Sequence, residues 1–216
     1  MNTSEIIIPL RDVQLGGELI VPPGATGLVI FAHGSGSSRH SPRNQFVAGM
    51  LRVAGLGTLL FDLLTAEEEQ AEFHTRHLRF NIPFLAQRLV AVTRWALNQP
   101  ACRGLRIGYF GASTGAAAAL VAAAELGQTV GAVVSRGGRP DLAEGALARV
   151  ISPTLLIVGA CDVAVVPLNE SAYARLCCEK TLELVPGASH LFEETGTLEI
   201  AAHLARKWFV RHLDGK

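Results

Sequence analysis

Three short stretches carry side chains that could do chemistry together. In "RIGYFGASTGAAAALVAAAE", Arg106 to Glu125, a serine, Ser113, stands between Gly111 and Gly115. An apolar run leads up to it and a charge-free run of small residues follows, which places Ser113 where a strand turns sharply into a helix. At such a turn the serine backbone is strained, and only small flanking residues clear the strand and the helix. A helix beginning near Thr114 would also aim its unpaired N–H groups and its positive dipole end at the serine oxygen, where negative charge develops during acyl transfer. A serine hydroxyl is a poor nucleophile alone, so this chemistry needs a base and an acid to orient it.

Both partners follow in the order such a site uses, serine, then acid, then histidine. Asp162 comes directly after the apolar run "TLLIVG", and His190 comes after "TLELVP" in Gly187-Ala188-Ser189-His190. The other six histidines fit less well: His33 and His40 precede the serine, His74 and His77 lie in a polar stretch, and His203 and His212 fall in a terminal helical pattern. For the acid, Asp141 in "SRGGRPDLA" is the alternative, since it follows the preceding strand. An oxyanion also needs two N–H donors, one from the residue after the nucleophile and one from a loop after an earlier strand. "FAHGSGSS", Phe31 to Ser38, is that loop, and the donors assigned are the backbone N–H groups of Ser35 and Thr114. His33-Gly34-Ser35-Gly36 lacks both the lysine of a P-loop and the three-glycine dinucleotide spacing.

These residues need elements to hold them, and the chain supplies an alternation. "GLVIFA", "GTLLFD", "LRIGYF", "VGAVVS", "TLLIVG" and "TLELVP" are short and nearly uncharged, the pattern of strands buried on both faces of a parallel sheet. Helix-compatible spacing fills Arg43 to Ala54, Phe80 to Gln99, Thr114 to Gly127, Pro167 to Cys177 and Thr197 to Leu213. This is a βαβ alternation: one α/β domain over residues 1–216, a mostly parallel central sheet with helices on both faces. "EIIIPL" and "GELIVP" are expected as an antiparallel edge. Leu63 to Asn81 is polar and too long for a plain connector, and is expected as a lid or rim. Arginines gather after the strand ends, where an open α/β sheet binds its ligand. Arg39, Arg76 and Arg136 are the expected contacts to an anionic group on the substrate, against the alternative of rim residues paired with Glu67, Glu68, Glu69 and Glu72.

Composition narrows the rest. The chain has 216 residues, 49% hydrophobic and 18% charged, enough for one large core. Nineteen basic residues balance nineteen acidic ones, so no net field recruits nucleic acid or an anionic membrane. No apolar stretch reaches the roughly 20 residues that span a bilayer, and the N-terminus has no basic segment ahead of a long apolar one. The expectation is a cytoplasmic protein, a monomer or small homo-oligomer, with its four cysteines reduced and without metal spacing.

The stretches "VIFAHGSGSSRHSPRN", "GYFGASTGAAAAL", "PTLLIVGACD" and "PGASHLFEE" resemble the α/β-hydrolases of the dienelactone hydrolase type over nearly the whole chain. The likeness is greatest to small hydrolase domains that some bacterial proteins join to a phosphoribosyltransferase domain, for which these residues leave no room. The resemblance implies an α/β-hydrolase fold, a Ser113, Asp162, His190 triad and hydrolysis of a small-molecule acyl substrate. One departure matters, because dienelactone hydrolases proper carry a cysteine nucleophile where this chain has Ser113. The mechanism expected is two-step acyl transfer needing no metal or organic cofactor. The alternatives are an acyltransferase, or a non-catalytic small-molecule receptor on the same fold.

Overall fold

A computed structural model describes residues 5–75 and 77–214, with residues 73–75 described by their backbone alone. The described residues form one sheet of eight strands: β1 (Glu5–Pro9), β2 (Gln14–Ile20), β3 (Gly27–Ala32), β4 (Gly57–Phe61), β5 (Arg106–Ala112), β6 (Val130–Arg136), β7 (Thr154–Gly159) and β8 (Lys180–Val185). Their order across the sheet is β1-β2-β4-β3-β5-β6-β7-β8. β1 and β2 form the expected antiparallel edge, and β3 to β8 run parallel. Every residue of β3, β4, β6 and β7 is buried, which is why these strands read as unbroken apolar runs rather than alternating ones. β8 is the half-exposed exception at the sheet edge.

Six α-helices cover the two faces: α1 (Pro42–Val53), α2 (Ala66–Thr75), α3 (Ile82–Leu97), α4 (Thr114–Leu126), α5 (Val166–Arg175) and α6 (Thr197–Leu213). Leu85 and Leu89 of α3, Ala117, Ala118 and Ala119 of α4 and Ala172 of α5 join one apolar cluster with Leu28, Ile30 and Tyr109 of the sheet. Val47 and Leu51 of α1 and Ala205 and Phe209 of α6 join the other, against Val29, Phe31, Phe110 and Val134. The period of two in a strand sends alternate residues to opposite clusters. Local chemistry sets the helix starts. Asn81 caps α3 by accepting from Phe84 N at 3.2 Å, and Ser41 caps α1 ahead of Pro42.

The polar segment expected as a lid or rim contains α2. Its acidic residues do more than face water. The buried carboxylate of Glu72 accepts from the backbone N–H groups of His77 and Leu78, both at 2.7 Å, from that of Arg79 at 3.0 Å, and from Arg79 Nε at 3.2 Å. Glu68 receives both guanidinium ends of Arg88, at 2.9 and 2.6 Å. The segment is therefore tied down as a wall of the molecule, and Leu64, Thr65, Ala66 and Glu69 line the cleft above the sheet.

Candidate active site

The strand-to-helix turn at Ser113 has the backbone its neighbours imply. Ser113 has φ 49 and ψ −124, one of two non-glycine residues with positive φ among those described. Such a conformation costs on the order of 1–3 kcal/mol and persists only where the surroundings enforce it. Clearance is the first requirement: a Cβ on Gly111 would lie 2.4 Å from Ala116 Cα, and one on Gly115 would lie 2.1 Å from the carbonyl oxygen of Ala32. Ser113 also occupies the N-cap position of α4, where serine ordinarily accepts a backbone N–H. Here the side chain makes no such bond. The turn thus presents a hydroxyl that its own helix does not consume.

The loops after β7 and β8 bring the other two groups together. Asp162 Oδ2 lies 2.7 Å from His190 Nδ1. A carboxylate accepts there, so Nδ1 carries the proton and Nε2 is the ring nitrogen left with a lone pair. The backbone N–H of Ser189 donates to Glu194 at 3.0 Å, which orders the turn that carries His190. Asp141, the alternative acid, is committed elsewhere: Arg139 donates to both its oxygens, at 2.9 and 2.8 Å. Ser113 and His190 line one cleft of about 840 Å³, a volume suited to a small-molecule ligand. No hydrogen bond joins them among the described residues, and such contacts tighten when substrate binds.

The two residues expected as oxyanion donors, Thr114 and Ser35, are in contact with each other. Thr114 is the first residue of α4, where helix geometry leaves the N–H without an intrahelical acceptor. Ser35 lines the same cleft as Ser113. Its N–H donates to Thr114 Oγ1 at 3.2 Å, its hydroxyl lies 3.1 Å from the same oxygen, and that hydroxyl also donates to Arg79 O at 3.2 Å. Ser35 therefore ties Thr114 to the segment after α2. The closest approach in this loop comes from Gly34, where a Cβ would stand 2.9 Å from Ser113 Cβ.

His33, set aside by chain order, holds the same loop in place. Its Nδ1 donates to Gly34 O at 3.0 Å and its Nε2 accepts from Leu63 N at 3.0 Å, so the ring is neutral with one defined tautomer. Burial lowers its pKa, opposed by the Gly34 carbonyl and by the charges of Asp62 and Glu69. A histidine-glycine pair after a buried strand was the available signal.

The three arginines expected at the substrate have separate fates. Arg39 does not line the cleft: its guanidinium is bound to Asp62, with Glu5 at 3.8 Å. Arg76 lies outside the described residues. Arg136 does line the cleft and is buried. Arg79 pairs with Glu69 and Glu72 of the polar segment, and Arg88 of α3 pairs with Glu68. Among the described residues no group of three potential metal ligands occurs, and no helix is long and apolar enough to cross a membrane.

No protein-family model matches the chain. A crystal structure of dienelactone hydrolase from Anabaena variabilis superposes with a TM-score of 0.96 at 56% identity, covering 98% of each chain. Est1E from Butyrivibrio proteoclasticus gives a TM-score of 0.81 at 16% identity over 97% of this chain and 98% of its own, a likeness of fold. So does an α/β serine hydrolase from Xanthomonas campestris, with a TM-score of 0.78 at 21% identity over 99% and 96%. A Mycobacterium tuberculosis protein bearing a phosphoribosyl transferase name, found in two strains, is 54% identical over 215 residues, covering 100% of this chain and 48% of that protein. The chain spans about half the length of these curated relatives. Its sheet is that of the α/β-hydrolases, and with most of its residues matched along a whole dienelactone hydrolase chain, it belongs to the dienelactone hydrolase family.

Proposed function

We propose that the protein is a serine hydrolase that cleaves ester-like substrates, a carboxylic ester, lactone or thioester, through an acyl-enzyme on Ser113. The observation that carries this reading is the uncapped, strained Ser113 in the same cleft as His190, whose Nδ1 is held by Asp162. His190 Nε2 takes the hydroxyl proton as Ser113 Oγ attacks the carbonyl carbon. Asp162 holds the proton on Nδ1 and balances the imidazolium that forms. The Thr114 N–H, with the α4 dipole behind it, receives the charge that grows on the carbonyl oxygen. Collapse of the tetrahedral species expels the alcohol, thiol or internal leaving group, which recovers the proton from His190. Water then repeats the cycle on the acyl-enzyme and releases the acid.

Two arrangements around the triad support this role. Ser35 fixes Thr114 through its hydroxyl, so the donor next to the nucleophile is preorganised rather than recruited. His33 fixes the loop that faces Ser113. The test is covalent labelling by a fluorophosphonate. Wild-type protein is expected to gain one adduct, mapped to Ser113 by mass spectrometry, and Ser113→Ala none. An adduct that persists in Ser113→Ala removes the assignment, and a native protein that resists labelling favours a receptor on this fold.

A further inference from the structure

One loop touches both the nucleophile turn and the histidine turn, and it is held by a side chain that the chemistry above does not use. The loop is Gly137-Gly138-Arg139, directly after β6. The N–H of Arg139 donates to the backbone oxygen of Ser113 at 3.0 Å, the same oxygen that accepts from Ala116 N at 3.1 Å. The strained turn is thus gripped from outside its own helix as well as from within. On the other side Gly137 abuts the turn that carries the base: its φ is 51, and a Cβ there would stand 2.9 Å from His190 O. Gly138 is pressed against α4, where a Cβ would lie 2.6 Å from Ala116 Cβ and 2.0 Å from Ser135 Oγ.

Asn169 holds that loop from behind. The residue lies in α5 and is fully buried. Its Nδ2 donates to Gly138 O at 3.1 Å and to Val165 O at 3.0 Å. Two carbonyl oxygens can be met only by the NH2 end, so both amide hydrogens are engaged and the side chain has one orientation. Oδ1 is buried without a partner among the described residues, a cost that a leucine of similar size would not carry. Val165 belongs to the turn that carries the acid, since the N–H groups of Val165 and Val166 both donate to Asp162 O, at 2.9 and 3.0 Å. One buried amide therefore joins the acid's turn to the loop that lies against the other two members of the triad.

We propose that Asn169 is a positioning residue for acyl transfer: through Gly138 O it fixes the loop that sets Ser113 against His190, and through Val165 O it ties that loop to the turn of Asp162. The inference rests on the Ser113 reading and adds to it a residue that touches no substrate. Ser113 and His190 share no hydrogen bond among the described residues, so their separation is set by the backbones that carry them. A misplacement near 1 Å between such groups costs about 10²-fold in rate.

The two hydrogen bonds of Asn169 can be separated. A hydroxyl at this position has a single O–H, which in a helix bonds the carbonyl four residues back, here Val165 O. Asn169→Thr and Asn169→Ser therefore keep the bond within the acid's turn and lose the one to Gly138. They are compared with wild type, with Ser113→Ala, and with Ser152→Ala, which loses a buried hydrogen bond of 2.8 Å to Val130 O at the far end of β6. A saturable fluorophosphonate followed by intact mass gives the labelled fraction, the limiting rate and the half-saturating concentration. In both Asn169 variants the limiting rate, and kcat/KM for para-nitrophenyl acetate, should fall by roughly 10- to 100-fold. The half-saturating concentration and the labelled fraction should stay at the wild-type values. Ser152→Ala should lower Tm by a similar amount and label at the wild-type rate. A lower Tm or labelled fraction with an unchanged limiting rate would make Asn169 structural and overturn the proposal. So would failure of both hydroxyl variants to fold, or a rate loss in Ser152→Ala as large as theirs. A wild type that does not label, or an adduct that persists in Ser113→Ala, removes the Ser113 reading itself and this inference with it.

Discussion

Gly115→Ala isolates the packing on which the nucleophile turn depends. A Cβ there would stand 2.1 Å from Ala32 O and 2.5 Å from His33 O. Both are backbone atoms at the end of β3, so no rotamer change makes room. Either α4 or the loop after β3 must retreat by roughly 1 Å or more to recover ordinary contact. Overpacking of this kind costs about 1–3 kcal/mol. For a chain of this length that lowers Tm by roughly 2–12 °C. The larger effect is on rate, because the displaced loop faces Ser113 and α4 carries both Ser113 and Thr114. A misplacement near 1 Å costs about 10²-fold. Hydrolysis of para-nitrophenyl acetate by Gly115→Ala is therefore expected to fall about 10²-fold in kcat/KM, with fluorophosphonate labelling slowed in parallel. Gly145→Ala is the matched control, since a Cβ there meets nothing within 4 Å and its φ is not positive. Gly115→Ala with wild-type Tm and wild-type rate would refute the reasoning, for it would mean that the turn tolerates a retreating helix.

Two further outcomes follow from the hydrogen bonds around the site. Asp162→Asn should lose on the order of 10⁴-fold in turnover and His190→Ala about 10⁴- to 10⁶-fold, while Asp141→Asn, whose partner is Arg139, should be nearly silent; steady-state kinetics on one activated ester decides, and the reverse pattern in the two aspartates moves the acid to the loop after β6. His33 makes folding stability depend on pH. Above its unfolded pKa of 6.5 both states are neutral and it contributes no slope. Between 6.5 and its lowered folded value the unfolded chain holds more protons, so stability falls as pH falls, by up to about 1.4 kcal/mol per pH unit. Urea unfolding followed from about pH 7.5 down to about pH 5 should show a shallower slope in His33→Asn, with the remainder due partly to His212, whose pKa burial also lowers. An unchanged slope would mean that His33 is not held neutral.

What the sequence discloses follows from how local the cause is. β3, β7 and α6 are legible to the residue, because a strand buried on both faces has to be apolar throughout and a long amphipathic helix has to repeat. That Ser113, Asp162 and His190 reach one edge of the sheet is legible for a related reason: each follows a parallel strand, and parallel strands end on the same edge. α2 is not, since "AEEEQAEFHT" shows no apolar stripe and its place is fixed by Glu68 reaching Arg88 and Glu72 reaching the turn beyond it. Nor can spacing tell which arginine is free. Arg39 and Arg136 both lie near strand ends, but Asp62 is one strand over from the first, while the second has the like-charged Arg43 as its neighbour. The contact of Ser35 with Thr114 is hidden on the same ground, because Thr114 Oγ1 lies 79 residues away in the chain.

The strain at Ser113 and the composition of α4 are two sides of one arrangement. A serine at a helix N-cap is stabilising when its oxygen accepts a backbone N–H, by about 0.5–2 kcal/mol. Here that contribution is forgone and a positive φ is added, at about 1–3 kcal/mol. Ala116, Ala117, Ala118 and Ala119 are fully buried, and with Gly115 they let α4 lie against the ends of β3 and β5 more closely than larger side chains would permit. Close packing is what makes the turn sharp, and the sharp turn is what swings the hydroxyl off its own helix and into the cleft. The Thr114 N–H, first of the helix, is left without an intrahelical acceptor beside that hydroxyl, in a wall where Ser35 holds Thr114 still. A more relaxed serine would cap α4 and neutralise the positive end of its dipole, so in this chain the loss of local stability and the exposure of the Ser113 hydroxyl beside that dipole have a single structural cause.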